Sequence, residues 1–267
     1  MFRRTKKNSN VLRIVFLSII NKILMPRTLV VGDIHGGLKA LNQVLERTSL
    51  KNDDQLIFLG DYVDGWSQSA QVLDFLLQLK QKQACVFIKG NHDVWGEKWL
   101  RNGEKEDIWL ANGGRETINS YIGHTEGEKL RHLDFLEQMP YYHIDQQDRL
   151  FIHAGFTSMH GPTHEFYNTN FSWDRTLWET ALALDPLMAG ENIFYPKRFR
   201  LYSEIYIGHT PTVNYFITTP MHRANVWNVD TGAAFGGPLT ILDVDSKLYW
   251  QSDPLPELYP DEKGRNK

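Results

Sequence analysis

The stretch that decides the fold is Thr28-Leu29-Val30-Val31-Gly32-Asp33-Ile34-His35-Gly36. A short β-branched run ends in glycine, and an acid and an imidazole follow at once. Such an unbroken apolar run reads as a strand buried on both faces, and the glycine lets the backbone turn sharply at its end. The pattern recurs twice, at intervals of about thirty residues, as expected of strands joined through helices. Leu56-Ile57-Phe58-Leu59 runs into Gly60-Asp61-Tyr62-Val63-Asp64-Gly65, and Cys85-Val86-Phe87-Ile88 is followed by Gly90-Asn91-His92-Asp93. Leu38, Leu41, Val44 and Leu45 fall at helical spacing between the first two runs, as do Val72, Leu73, Leu76 and Leu77 between the next two. Strand, helix, strand, helix, strand predicts right-handed crossovers and a parallel sheet.

Further along the chain the pattern changes. Residues 97–148 read as mostly helical and polar, with Leu130, Leu133, Leu136 and Met139 as one apolar stripe before Pro140. Strand-like runs return at Leu150-Phe151-Ile152, Ile205-Tyr206-Ile207, Val226-Trp227-Asn228-Val229, Leu239-Thr240-Ile241-Leu242 and Lys247-Leu248-Tyr249-Trp250. The last two, joined through Asp243 to Ser246, predict a β-hairpin. Two of these runs again end in metal-capable residues, His153-Ala154-Gly155 and Gly208-His209-Thr210. No linker divides the body, so residues 25–267 read as one domain with two sheets.

With 42% hydrophobic and 23% charged residues, the 267-residue chain has the composition of an ordinary globular protein. Its net charge of −3 conceals an asymmetry: residues 1–24 carry six cations and no acid, which leaves −9 on the remainder. An acidic body argues against binding a nucleic-acid polymer. The head joins a basic start to an apolar stretch interrupted by Arg13 and Lys22, too short a run for a membrane span. It reads as a disordered or non-native extension, or else as a weak membrane-surface contact. The single cysteine, Cys85, excludes an internal disulfide framework and points to a reducing compartment, the cytoplasm. Cys85 itself sits within an apolar run and reads as core.

Loops at the carboxyl ends of parallel strands share one edge of a sheet, where ligands bind. Five separate segments therefore aim Asp33, His35, Asp61, Asp64, Asn91, His92, His153 and His209 at one crevice. Imidazoles and carboxylates without thiolates suit manganese, iron or zinc better than calcium or magnesium. The set is too large for one tetrahedral ion and sufficient for two. Two ions ~3.5–4 Å apart can clamp both the attacking and the leaving oxygen of a phosphoryl displacement.

In order and spacing these motifs resemble the calcineurin-like metallophosphoesterase superfamily, and within it the serine/threonine phosphoprotein phosphatases and their bacterial relatives. The resemblance covers residues 28–245 and extends to Asn112-Gly113-Gly114 with Thr117, Ser120 and Tyr121, and to Asn228-Val229-Asp230-Thr231-Gly232. It implies an α/β fold, a four-layer αββα sandwich with two mixed β-sheets and a dinuclear metal site on strand-end loops. It further implies that Asp33 and His35 hold one divalent ion, that Asn91, His153 and His209 hold the second, and that Asp61 bridges both. Manganese is the first expectation for the pair, with iron or zinc as alternatives. A hydroxide bridging the metals would attack phosphorus, and His92, oriented and kept charged by Asp64, would protonate the leaving alkoxide.

The first functional expectation is hydrolysis of phosphate monoesters on phosphoserine and phosphothreonine. The alternative is a diadenosine polyphosphate or other nucleotide hydrolase on the same site. A reading from another class is a catalytically silent metal-binding partner protein, which the presence of both His92 and Asp64 weighs against. One departure from the resemblance matters: the phosphatase branch carries an arginine after the second aspartate of its second motif, whereas Asp64 is followed by Gly65 and Trp66. Arg175 resembles the second phosphate-binding arginine of the bacterial relatives, and Arg115, Lys98 and Arg101 are candidates to replace the missing one. Trp66, Trp95, Trp99, Trp109 and Trp173 read either as rim packing or as a groove for an aromatic leaving group. His124, His132, His143, His160, His164 and His222 fit no motif and read as surface or loop residues, and Asp253 to Lys267 reads as a solvated tail.

Overall fold

In β1 (Thr28–Val31) the side chains alternate between two apolar environments. Leu29 and Val31 join a core with Leu41, Val44, Val72, Leu73 and Leu76, whereas Val30 joins another with Ile57, Phe151, Tyr206 and Val229. Both sides are dry, which is why this strand carries no polar alternation. The computed structural model describes residues 26–266. The expected extension, residues 1–24, lies outside the described residues.

Parallel to β1 run β2 (Gln55–Phe58) and β3 (Ala84–Phe87), with Val30 opposite Ile57 and Ile57 opposite Val86. The expected hairpin forms as β9 (Thr240–Asp243) and β10 (Tyr249–Gln251), and β9 pairs antiparallel with β1. The first sheet thus has the order β10-β9-β1-β2-β3. The second also has five strands, with β4 (Tyr142–Ile144) at one edge and β7 (Met221–Arg223) at the other, and between them β5 (Arg149–Ile152), β6 (Glu204–Ile207) and β8 (Val226–Asn228), in the order β4-β5-β6-β8-β7. In it β5, β6 and β8 are parallel, while β4 and β7 are antiparallel edges. Both sheets are therefore mixed.

The inner faces of the two sheets meet through Val30, Ile57, Leu59, Phe151, Tyr206 and Leu242. Burying each such side chain contributes about 1.5–3 kcal/mol. Helices α1 (Leu38–Thr48), α2 (Ser69–Leu79), α3 (Asn91–Asn102), α4 (Arg115–Ser120) and α5 (Glu126–Glu137) follow in sequence, and α1, α2 and α5 pack on the outer face of the first sheet. Helix α6 (Thr176–Ala183) sets Leu177, Trp178 and Ala181 on Leu150, Ile152, Ile205 and Ile207 of the second. The expected αββα sandwich is the observed architecture. Among the described residues no helix is long and apolar enough to cross a membrane.

Three local expectations need correction. The helical reading of 97–148 holds only to Glu137, after which the chain forms the edge strand β4. His132 is wholly buried rather than superficial; its ring lies 2.9 Å from the Tyr121 hydroxyl and 3.0 Å from Asp74. The segment from Asp253 is not a solvated tail, because Leu255 and Tyr259 are buried. The Tyr259 ring stacks on Trp66 at 5.2 Å, and its hydroxyl accepts from the Lys39 amide and donates to Gln68.

Candidate metal centre

Strands β1, β2, β3, β5 and β6 each end in a loop that bears a sequence-selected residue, and these loops converge. The turns are tight enough to require unusual backbone. Of nine non-glycine residues with positive φ among the described residues, four are His35, Asp61, Asp64 and His209. Such conformations cost energy and concentrate where a site dictates them. Gly90 and Gly208 are needed for close approach: a Cβ on the first would collide with the Asp61 carboxylate, and one on the second with that of Asp33.

Asp61 lies at the middle of the group. Its Oδ2 is 3.6 Å from His35 Nε2 and 3.4 Å from His153 Nε2, while its Oδ1 accepts from the His92 amide. His35 Nδ1 lies 3.1 Å from the Asp64 carbonyl and His153 Nδ1 lies 2.8 Å from that of Leu59. Each Nδ1–H therefore donates to backbone, and Nε2 faces Asp61. This is the arrangement that fixes the tautomer of a metal-ligating imidazole. Asn91 Oδ1 lies 3.1 Å from His153 Nε2 and 3.0 Å from His209 Nδ1. Two buried trios of metal-capable atoms result, His35 with Asp61 and His92, and Asp61 with His153 and His209. Asp61 belongs to both. Asp33 stands beside them: its Oδ2 accepts from the His209 amide, while its Oδ1 and His209 Nε2 are buried without a partner.

The electrostatics favour a cation here. Burial pushes the Asp33 carboxyl well above its ordinary range, and Asp230 and Asp61 add to the effect. Burial also acts to raise Asp61, but the imidazoles of His153, His92 and His35 hold it well below. Burial opposes charge on His153, yet Asp61 and Asp33 keep its pKa at about 10. His35 and His209 are driven by burial well below the ordinary histidine value. A single imidazolium thus offsets a cluster of carboxylates, a task a divalent ion performs better. The orphaned oxygen of Asp33, the inward Nε2 atoms and the mixed oxygen–nitrogen donor set all fit divalent ions.

His92 and Asp64 form a separate unit. His92 Nδ1 lies 2.7 Å from Asp64 Oδ2. The same oxygen accepts from Trp109 Nε1 at 2.7 Å, and Oδ1 accepts from Thr117 Oγ1 at 2.6 Å. Trp109 is therefore neither rim packing nor groove lining; it is buried and points its donor at Asp64. Burial lowers the His92 pKa to about 3 and raises that of Asp64 to about 8, with Thr117 and Trp109 pulling Asp64 back down. Burial thus opposes the charge that Asp64 is expected to keep on His92.

Asp93, not singled out beforehand for a role, is the brace of the site. Its carboxylate accepts from the amides of Gly90, Asp61 and Tyr62, tying the loop after β2 to the start of α3. The cue in the sequence is its place as the third residue of a helix whose cap is glycine. Asn228 secures the His209 loop by donating to the Thr210 carbonyl at 2.7 Å.

A cleft of about 280 Å³ opens over these residues, lined among others by His35, Asp61, His92, Trp95, Trp173 and Arg175. Arg175 is exposed there. Of Trp66, Trp95, Trp99, Trp109 and Trp173, only Trp95 and Trp173 line it. Trp66 is fully buried with its Nε1 donating to the Ala233 carbonyl, and Trp99 packs on Trp109 and Tyr121. Lys98 is paired with Glu106, and Arg101 with Glu97 and Glu137, and neither they nor Arg115 line the cleft. Arg265 does, and nothing in its local sequence marks it. Cys85 lies in β3, and burial pushes its thiol up to about 12, which leaves no reactive thiolate.

Known proteins match this chain as follows. The family model described as calcineurin-like phosphoesterase matches residues 26–226. An Anoxybacillus flavithermus protein named bis(5'-nucleosyl)-tetraphosphatase PrpE (asymmetrical) is 28% identical over 228 residues, covering 80% of this chain and 88% of the relative. A Bacillus anthracis protein of the same name is 27% identical over 229 residues with the same coverage. Among solved structures, a protein serine/threonine phosphatase from Saccharomyces cerevisiae superposes with a TM-score of 0.59 at 14% identity, covering 91% of this chain and 84% of that one. A metallophosphoesterase from Sphaerobacter thermophilus gives 0.50 at 17% identity, covering 86% and 87%. At these identities the two structures speak for the fold alone.

Proposed function

The chain belongs to the calcineurin-like phosphoesterase family and is a phosphoric ester hydrolase, and from that premise we propose that it cleaves dinucleoside polyphosphates asymmetrically. The observation that carries the substrate class is the aromatic wall. Trp173, 42% exposed, meets Trp95 edge to face at 5.1 Å, and the pair abuts His209 on one side and His92 on the other. Stacking of a base on such a ring is worth about 1–3 kcal/mol, and a phosphoserine side chain has no use for it. The name borne by the curated relatives points the same way.

In this reading Asp33 and His35 would hold one divalent ion, Asn91, His153 and His209 would hold another, and Asp61 would serve both. Manganese suits the mixed imidazole, carboxylate and amide set, with iron or zinc as alternatives. Bound there, two ions would supply an activated water and neutralise charge that develops on the phosphoryl oxygens. The chain's own residues do the rest. His92, held by Asp64 through Nδ1, delivers the proton from Nε2 to the departing oxygen. Thr117 and Trp109 fix Asp64, so the imidazole cannot rotate. Asp93 holds the second and third motif loops at one separation, and Arg175 presents its guanidinium to the substrate phosphates. The catalytic unit is residues 25–267, with 1–24 as an appended segment, and the lone cysteine fits a cytoplasmic location.

Phosphoserine and phosphothreonine in proteins form the second reading, favoured by the order and spacing of the strand-end motifs. Turnover of diadenosine tetraphosphate is to be measured against that of a phosphopeptide, metal held constant. The proposal expects a nucleoside triphosphate and a nucleoside monophosphate in equal amounts. Release of phosphate from the peptide with the dinucleotide untouched would overturn it.

A further inference from the structure

We propose that Arg265, carried into the cleft by the C-terminal segment, is a phosphate-gripping residue of this enzyme. The inference rests on the phosphoesterase reading of the cleft and does not depend on which phosphoester is the substrate.

Arg265 lines the cleft together with His35, His92 and Asp230. It is only partly exposed, and among the described residues no carboxylate lies within ion-pairing distance of it. Its Nη2 donates to Asn112 Oδ1 at 3.0 Å, its guanidinium lies 5.2 Å from the Phe235 ring, and its Nε is buried without a partner. A half-buried guanidinium with unmet donors is an incomplete structural element. Its planar fork matches a phosphate group, which accepts two parallel N–H bonds.

The space for this side chain is created at Gly65. A Cβ there would lie 3.2 Å from Arg265 Cγ, and Gly65 adopts a φ of 113° that side chains rarely tolerate. The position after Asp64 is thus kept bare, and the stem of Arg265 occupies the volume beside it. The segment that delivers Arg265 is well tied down. Its amide donates to the Ala234 carbonyl, Gly264 packs on the Trp66 ring, and Glu262 accepts from both the amide and the hydroxyl of Ser67. Trp66 and Ser67, in the same loop as Gly65, therefore dock the segment, and Arg265 reaches the cleft from a fixed base.

The test is calorimetric binding of inorganic phosphate to the manganese-loaded full chain, with metal content and Tm recorded alongside. Arg265→Gln should weaken phosphate binding roughly ten- to hundred-fold, the range of a lost charge-assisted bond. Metal content should be unchanged, and Arg265→Lys should recover part of the affinity. If the glutamine variant does not fold, the lysine variant carries the comparison, with a smaller loss expected. Unaltered phosphate affinity, with or without a fall in Tm, would reduce Arg265 to a pin for the C-terminal segment and overturn the proposal. A parent protein that binds no phosphate and cleaves no phosphoester would instead overturn the reading on which it rests.

Discussion

Ahead of β1 and β2, Arg27 and Asp54 meet with Nη2 2.5 Å from Oδ2 and Nε 3.1 Å from Oδ1. At the other end of the same strands, Asp33 and Asp61 crowd with Asp230 and Asp93, and among the described residues none of the four has a lysine or arginine partner. The contrast holds in the second sheet. Arg149 pairs with Asp145 and Asp245, and Lys247 with Glu204, all at the amino ends of the parallel strands. Burial acts on both groups alike, yet Arg27 holds the Asp54 carboxyl below its ordinary value while Asp33 is pushed far above it. One end spends its charges on holding the sheet together. The other keeps carboxylates in excess, which is tolerable only for a cation that arrives from outside.

The largest effect should come from His92→Asn, which removes the proposed proton donor and leaves the two proposed ion sites their principal ligands. Turnover should fall by a factor of roughly 10²–10⁴, with metal content unchanged by elemental analysis. Loss of metal in this variant would make His92 a ligand instead. Next, Asp54→Ala should remove the charged partner of Arg27 and lower stability by about 1.5–3 kcal/mol. Urea unfolding should detect this while turnover per folded molecule stays the same, so the two ends would separate by readout. A smaller loss, about ten- to hundred-fold in turnover, is expected for Trp109→Phe, which deletes one bond to the Asp64 carboxylate. No change in turnover would return Trp109 to the role of packing. The smallest effect is one of pH. Because the folded Asp54 is held below 3.8, its stabilising contribution is present above that value and disappears as pH falls through the lowered folded value. Acid unfolding of Asp54→Asn should lack this component.

The paired and unpaired ends also differ in how far the sequence discloses them. The apolar runs of β1, β2 and β3, each closing on glycine and a polar pair, announce both the parallel sheet and the loops that carry Asp33, His35, Asp61, Asn91 and His92. That legibility follows from local physics, since a doubly buried strand must be continuously apolar and a sharp exit favours glycine. The edge strands β4 and β7 are three residues each and include His143 and His222, too short and too polar to stand out. Trp109 and Thr117 reach Asp64 through side-chain bonds spanning many residues, and such contacts leave no periodic trace. The C-terminal segment misleads for the same reason. Its prolines and charges look solvated, but Tyr259 stacks on Trp66 and the chain beyond it leads Arg265 back to the cleft.

We propose that the carboxyl ends of the strands form one site for two divalent ions organised around Asp61. Elemental analysis of the protein purified without chelator and equilibrated with Mn²⁺ checks this, with Asp61→Asn measured in parallel. Two ions per chain are expected in the parent and a clear loss in the variant. One ion or none in the parent, or the same content in both proteins, would contradict it.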